Sequence, residues 1–288
     1  MNVEPWARER KLTTGYSPCP NDTFIFHALV TGGVDSRGFT FTPALEDVET
    51  LNRWAFERRL PVTKISFHAY GALRAEYALL TSGSALGRGC GPLLVSKERS
   101  TAARLDRARI AIPGRWTSAA LLLRLFAPQV ESAQLIEMPF HQILEQTARG
   151  SVDAGLIIHE SRFTYAAHGL VALVDLGEWW EAETGQPIPL GGIIADRRLG
   201  RESIEKIQEA LRDSVRHARR RPSDSRLYVK EHAQELADEV ADAHIRLYVN
   251  DFTEDLGADG LRALDVLYKT AEAKGILAPY DGPLGVSI

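Results

Sequence analysis

The chain has 288 residues, of which 44% are hydrophobic and 25% charged, and its formal net charge is −4. This composition is typical of globular proteins and argues against a fibrous, disordered or membrane-embedded chain. The length allows one large domain or two medium domains. The basic run 219–221 precedes Pro222 and fits the last turn of a helix, so we expect no nucleic-acid partner.

The N-terminal residues carry charges where a signal peptide needs an apolar stretch, and no later segment has the ~20 apolar residues of a membrane span. We therefore predict a cytoplasmic protein without a membrane partner. The two cysteines, Cys19 and Cys90, are expected to be free thiols, and the sequence leaves the role of Cys19 open. Without a CxxC or HExxH motif we predict no metal and no cofactor. Nothing in the sequence indicates an oligomeric state.

The first part of the chain alternates between strand and helix patterns. Apolar residues at 12–16 predict a strand that ends at Pro18 and Pro20, because proline interrupts strand pairing. The residues at 21–23 have side chains that cap the start of a helix, which is predicted to continue to Gly32. The spacing of apolar residues then predicts strands at 40–45 and 62–67, and helices at 47–58 and 68–80.

Glycines at 83, 87, 89 and 91 mark a bend where the chain is expected to enter a second lobe. Beyond it, strand patterns alternate with helix patterns, which favours a mostly parallel sheet. The strand patterns lie at 92–95, 109–112, 133–138 and 154–158, and the helix patterns at 117–126 and 142–149. A strand at 189–195 would return to the first lobe, and helical spacing dominates from residue 202 onward.

This pattern predicts an α/β fold with two lobes and a ligand cleft between them. Lobe 1 would comprise residues 1–91 and 195–288, and lobe 2 residues 92–194. Open parallel sheets bind ligands beyond the carboxyl ends of their strands. Side chains that follow strand ends are therefore the candidates for binding and catalysis.

Two candidate groups belong to the first lobe. Ser17 and Asn21 lie in the loop after the first strand, where they either contact a ligand or only form a well-capped turn. Lys64 and Ser66 flank Ile65 in a short strand, so their side chains point to one face. The lysine charge needs water or a partner, although a lysine that protects a sheet edge would also explain it.

Two further groups belong to the second lobe. Thr117 and Ser118 stand at the start of a predicted helix, whose free N–H groups suit a bound carboxylate or phosphate; an ordinary helix cap is the alternative. His159 follows an apolar strand pattern, and a histidine at a cleft can accept a proton near neutral pH. Adjacent strand residues face opposite sides, so Glu160 is expected outside the site.

Three motifs are SPCPNDTF at 17–24, EDVETLN at 46–52 and GLIIHESRFTY at 155–165. In this order they resemble the 1,4-dihydroxy-6-naphthoate synthase family of the futalosine route to menaquinone, and the similarity covers nearly the whole chain. The resemblance implies a fold like that of type II periplasmic binding proteins, without export. It also implies a lyase that converts cyclic dehypoxanthine futalosine to 1,4-dihydroxy-6-naphthoate and releases a sugar-derived three-carbon fragment.

The same resemblance assigns roles to the candidate residues. It makes His159 the catalytic histidine. It also implies substrate binding by a Lys-x-Ser stretch and by paired hydroxyls, which correspond to Lys64, Ile65, Ser66, Thr117 and Ser118. We therefore expect a small carboxylated substrate in a closed cleft, where His159 acts as general base and starts carbon–carbon cleavage.

Other functions are compatible with this fold. A non-catalytic protein that binds a small carboxylate for a transporter would share the fold, but the predicted absence of an export signal argues against it. The chorismate dehydratase of the same pathway is a second alternative, and the GLIIHE motif favours the synthase over it. The effector domain of a transcription regulator lacks support because no helix-turn-helix segment is present.

Overall fold

The computed structural model describes residues 10–233 and 237–285, which form two β-sheets with flanking helices. The first elements in chain order are β1 (Lys11–Tyr16), α1 (Pro20–Thr31), β2 (Thr40–Leu45), α2 (Val48–Phe56), β3 (Val62–Ser66), α3 (Phe67–Ala72), β4 (Tyr77–Leu79) and β5 (Ala85–Gly87). They are followed by β6 (Leu93–Ser96), β7 (Ile110–Ile112), α4 (Ser118–Phe126), β8 (Leu135–Glu137), α5 (Phe140–Arg149), β9 (Ala154–Ile157), α6 (Ser161–Thr164) and β10 (Val171–Asp175). The last elements are α7 (Leu176–Thr184), β11 (Ile188–Asp196), α8 (Arg201–Arg220), α9 (Arg226–His232), α10 (Asp238–Tyr248), α11 (Asp251–Glu254) and α12 (Gly257–Ala273).

The first sheet has the strand order β2-β1-β3-β11-β4, and β5 also pairs with β11. β1 runs parallel to β2 and β3, whereas β11 runs antiparallel to β3. All five residues of β3 are buried, since this strand lies between β1 and β11. Lys64 is therefore inside the sheet, and the explanation of this lysine as a guard of a sheet edge is wrong.

The second sheet has the strand order β10-β6-β9-β7-β8. β7 runs parallel to β8 and β9, as the alternation of strands and helices predicts, but β6 and β10 add antiparallel pairs. The chain passes from the first sheet to the second between β5 and β6. β11 pairs with strands of the first sheet from Ile188 onward. The division into lobes at residues 91 and 194 stays a prediction.

One segment departs from the predicted pattern. Helical spacing predicts a helix over residues 68–80, whereas α3 ends at Ala72 and β4 follows. β4 pairs with β11, Leu79 standing opposite Ile194, and this pairing outweighs the local helical preference. Arg74 stabilises the intervening turn, because its Nε donates to the carbonyl of Gly71 at 2.7 Å.

Amphipathic helices cover the sheets. α8 buries Ile204, Ile207 and Leu211 at helical spacing, and these residues join Phe24 and Leu29 of α1 in one apolar cluster. This packing holds α1 in place and with it the loop that follows β1. Along the described ranges, no helix is both long and apolar enough to cross a membrane.

Two glycine backbones meet where the chain enters the second sheet. A Cβ atom at Gly91 would lie 2.3 Å from the backbone nitrogen of Gly177, closer than any unstrained contact. Only glycine therefore permits this approach between the segment before β6 and the start of α7.

We expect Gly91→Ala to lower the free energy of unfolding by about 2 kcal/mol, because the added methyl group forces a backbone shift. Urea denaturation measures the change. Gly285→Ala is the matched control, since its Cβ would meet only the carbonyl oxygen of Leu79 at 3.7 Å. Equal stability of the two variants would contradict the prediction.

Candidate active site

One cavity brings the candidate residues of both sheets together. Its lining includes every residue that the sequence analysis selected for binding or catalysis, namely Ser17, Asn21, Lys64, Ile65, Ser66, Thr117, Ser118 and His159. They come from the loop after β1 with the first turn of α1, from β3, from the start of α4 and from the segment after β9. The structure thus brings these four segments to one cavity, while the roles of the residues stay predictions.

A buried ion pair organises the loop after β1. Lys64 Nζ contacts Asp22 Oδ1, and the two side chains are only 8% and 5% exposed. Asp22 Oδ2 accepts hydrogen bonds from the hydroxyl of Ser17 at 2.8 Å and from its backbone N–H at 3.2 Å. Asn21 Nδ2 donates to Asp22 Oδ1 at 2.8 Å. Ser17 and Asn21 are therefore held by Asp22 and line the cavity as well. The side chains at 21–23 do not cap α1 as predicted, because its N-cap is Cys19, which makes no side-chain cap hydrogen bond.

The hydroxyls at the start of α4 are engaged by the backbone. Thr117 is the N-cap, as its Oγ1 accepts from the N–H of Ala120 at 3.2 Å and donates to the carbonyl of Gly114 at 2.7 Å. Ser118 Oγ donates to the carbonyl of Leu190 at 2.5 Å. The first N–H groups of a helix lack partners within it and carry the positive end of its dipole. The donors that α4 offers to a ligand are therefore its backbone N–H groups rather than these two hydroxyls.

His159 lies two residues beyond β9 in a left-handed backbone conformation, with φ of 55°. This conformation is uncommon for residues other than glycine, and such strain concentrates at functional sites. The imidazole packs edge-on against Phe140, with ring centroids 5.1 Å apart. Burial lowers the pKa of His159 below 6.5, although the Glu160 carboxylate acts in the opposite direction. The imidazole is therefore neutral at neutral pH and can accept a proton.

Glu160 is not among the residues that line the cavity, but it lies closer to the His159 imidazole than strand alternation predicts. β9 ends at Ile157, so strand alternation does not extend to residues 159 and 160. The Glu160 carboxylate, the His159 imidazole and the Cys19 thiol each place an atom within 4.8 Å of the others. These are metal-ligand atom types, but burial raises the pKa of the Cys19 thiol well above its usual value. A thiol that stays protonated is a poor metal ligand, and Glu160 is better described as a buried neighbour of the imidazole.

His244 and Tyr248, which the sequence pattern does not single out, reach the same cavity from α10. The rings of His244 and His159 are nearly parallel, with centroids 6.1 Å apart and an interplanar angle of 21°. His244 Nε2 lies 2.9 Å from Asn21 Oδ1. The spacing of four residues places His244 and Tyr248 on one helix face, but the same spacing is equally typical of core packing. That ambiguity is why the sequence pattern did not single them out.

Residues 12–273 match the sequence profile of the menaquinone biosynthesis family. The chain belongs to this family. Among its relatives, a protein of Thermus thermophilus is 52% identical over 96% of this chain and 99% of its own length. A protein of Streptomyces coelicolor is 46% identical over 94% of this chain and 96% of its own length. Both are named 1,4-dihydroxy-6-naphthoate synthase, which confirms the resemblance drawn from the three motifs.

Solved structures show the fold of this menaquinone biosynthesis family member. A protein from Archaeoglobus fulgidus has a TM-score of 0.87 and 38% identity, with 94% of this chain and 100% of that chain covered. The alkanesulfonate-binding protein SsuA from Xanthomonas axonopodis has a TM-score of 0.70 and 15% identity, with 94% and 95% covered. A Candida albicans protein with the generic periplasmic binding protein fold has a TM-score of 0.68 and 14% identity, with 94% and 92% covered. The predicted two-lobed periplasmic-binding-protein fold is thus confirmed.

In this family member Glu49 links α2 to the segment that precedes α4. Its Oε1 accepts from the backbone N–H of Trp116 at 3.3 Å, and its Oε2 accepts from Asn52 Nδ2 at 3.0 Å. Asn52 Oδ1 in turn accepts from the N–H of Ser66, at 2.9 Å. Burial raises the pKa of Glu49 to about 7, and these hydrogen bonds offset the effect only in part.

We expect Glu49→Gln to remove a pH dependence of stability. The pKa in the folded protein lies above the ordinary value of 4.5, so the unfolded chain loses this proton first as the pH rises. The wild type therefore loses stability between these two values and is destabilised by about 3 kcal/mol at pH 8.

Urea denaturation at pH 5 and pH 8 measures the effect. The stability of the variant relative to the wild type should rise by about 2 kcal/mol between the two conditions. Glu183 is exposed, and Glu183→Gln is the control that should follow the wild type at both pH values. The same pH dependence in Glu49→Gln and in the wild type would contradict the prediction.

Proposed function

We propose that this chain is a carbon–carbon lyase that converts cyclic dehypoxanthine futalosine to 1,4-dihydroxy-6-naphthoate. The observation that carries the proposal is that a neutral imidazole and a helix N-terminus line one cavity in a chain of the menaquinone biosynthesis family. The names of the relatives from Thermus thermophilus and Streptomyces coelicolor support the reaction.

In the proposed complex the substrate carboxylate lies at the N-terminus of α4. Unpaired N–H groups and the helix dipole favour an anion at this position. The hydroxyls of Thr117 and Ser118 support the site indirectly, because they fix the first turn of α4 through the carbonyls of Gly114 and Leu190. Lys64 is already paired with Asp22, so in this proposal its role is to hold the loop after β1 rather than to neutralise the substrate.

His159 is the general base of the proposed reaction. Its imidazole removes a proton from the substrate, and the electron pair left behind forms a double bond while a carbon–carbon bond breaks. The electrons of the broken bond stay with one fragment, the imidazolium returns the proton, and the sugar-derived three-carbon fragment leaves. Formation of an aromatic product supplies driving force. Glu160 opposes the effect of burial on the pKa of His159, which keeps the imidazole basic enough to accept the proton. Closure of the lobes excludes water from the cavity.

We also propose a cytoplasmic location, since the relatives are named as biosynthetic enzymes. The proposed reaction requires no cofactor, because the proton transfer and the bond cleavage use only an imidazole and the electrons of the substrate.

Replacement of His159 by alanine should lower kcat by about 10²–10⁴-fold and leave KM nearly unchanged, because general-base catalysis acts on the chemical step. In the wild type, kcat/KM should be level above neutral pH and fall as the pH drops below 6.5, where His159 gains its proton. His168 is exposed and outside the cavity lining, so His168→Ala serves as control. Wild-type turnover in His159→Ala would reject the assignment of the base.

The substrate is tested by incubating the purified wild type separately with cyclic dehypoxanthine futalosine and with the chorismate-derived substrate of the dehydratase. Chromatography with absorbance detection should show 1,4-dihydroxy-6-naphthoate from the first compound and no product from the second. Dehydration of the second compound would instead identify the dehydratase. Saturable binding without turnover of either compound would identify a binding protein.

A further inference from the structure

We propose that Nδ1 of His244 accepts a hydrogen bond from a hydroxyl group of the substrate. His244 is then a second substrate-contacting residue, with a task distinct from that of His159. The identity of the substrate rests on the function proposed above. The protonation state of the His244 ring does not rest on that function, because it follows from the hydrogen bonds of His244 and of the residues around it.

A chain of buried polar groups fixes the proton position on His244. Asp22 accepts hydrogen bonds from Lys64 and Ser17 and is a carboxylate, so the Asn21 atom 2.8 Å from its Oδ1 has to be the amide nitrogen. The oxygen of Asn21 therefore faces His244, at 2.9 Å from Nε2. An amide oxygen can only accept, so Nε2 of His244 carries the hydrogen.

Nδ1 is consequently the unprotonated nitrogen of a neutral ring. Burial lowers the pKa of His244 well below 6.5, and the nearby His159 and Lys64 act in the same direction. A neutral imidazole with its hydrogen on Nε2 has a lone pair on Nδ1, which is a hydrogen-bond acceptor. Tyr248 packs against the ring, with centroids 4.6 Å apart, and so helps to hold its orientation.

Nδ1 of His244 has no hydrogen-bond partner anywhere in the described ranges, although the side chain is completely buried. Buried polar atoms of native proteins are almost always paired, so this atom requires an explanation. The ring belongs to the cavity lining together with His159, and in this proposal a bound ligand supplies the missing donor. A carboxylate cannot donate, whereas a hydroxyl can. The N-terminus of α4 and His244 thus recognise two different groups, an anion and a hydroxyl.

Two conservative substitutions test the contributions of the two ring nitrogens of His244 separately. His244→Gln places an amide near Nε2, which keeps the contact with Asn21 and removes the acceptor at Nδ1. His244→Asn places an amide near Nδ1, which keeps an acceptor there and gives up the contact with Asn21.

We expect His244→Gln to lower kcat/KM for cyclic dehypoxanthine futalosine by about tenfold or more, and His244→Asn to lose less. His141→Gln is the matched control, since His141 is exposed and outside the cavity lining, and it should keep the wild-type value. Thermal unfolding of each variant checks that it is folded. Wild-type kcat/KM in His244→Gln, or an equal loss in both His244 variants, would overturn the proposal.

A second measurement does not depend on turnover. In protein labelled with ¹⁵N-histidine, the signals that His244→Gln lacks belong to His244, and their shifts should show a neutral ring with hydrogen on Nε2 at pH 7.5. Hydrogen on Nδ1, or a charged ring, would overturn the inference even in an active enzyme. If the wild type is inactive but His244 has the expected protonation state, the proposed reaction is rejected. Nδ1 of His244 is then still established as a hydrogen-bond acceptor without a hydrogen.

Discussion

The cavity depends on the buried contact between Lys64 and Asp22. The lysine stands in the middle of the first sheet, where an unpaired charge would be costly, and Asp22 is the group that makes its burial tolerable. Because Asp22 also receives hydrogen bonds from Ser17 and Asn21, one carboxylate connects β3 to the loop after β1. Asn21 extends the connection to His244 of α10, so a single ion pair determines the geometry on three elements.

Much of the fold could be predicted from local patterns. The strand at 40–45 has the predicted bounds, and the strands and helices between 109 and 158 agree within a few residues, because apolar spacing and helix caps report on local geometry. The prediction of a helix over 68–80 is wrong in its second half. Tyr77–Leu79 became a strand because β11, more than a hundred residues later, supplies the hydrogen bonds, and no local pattern contains that partner.

The candidate site shows the same limit. His159 could be found because it follows a recognisable strand. Lys64 could be found because it lies within such a strand, and Thr117 because it begins a helix. The closeness of Glu160 to the imidazole could not be predicted, since a left-handed residue at 159 ends the strand alternation on which its position was argued. His244 could not be found, because a buried histidine in an amphipathic helix gives the same pattern whether its neighbours are a core or a ligand site.

The pairing of β3 with β11 has a consequence for folding during synthesis. Ile65 stands opposite Gly192, so one long side of β3 stays unpaired until the whole second sheet has been translated. At ribosomal speed this interval is on the order of ten seconds. An open strand edge of that lifetime is a template for association with other nascent chains.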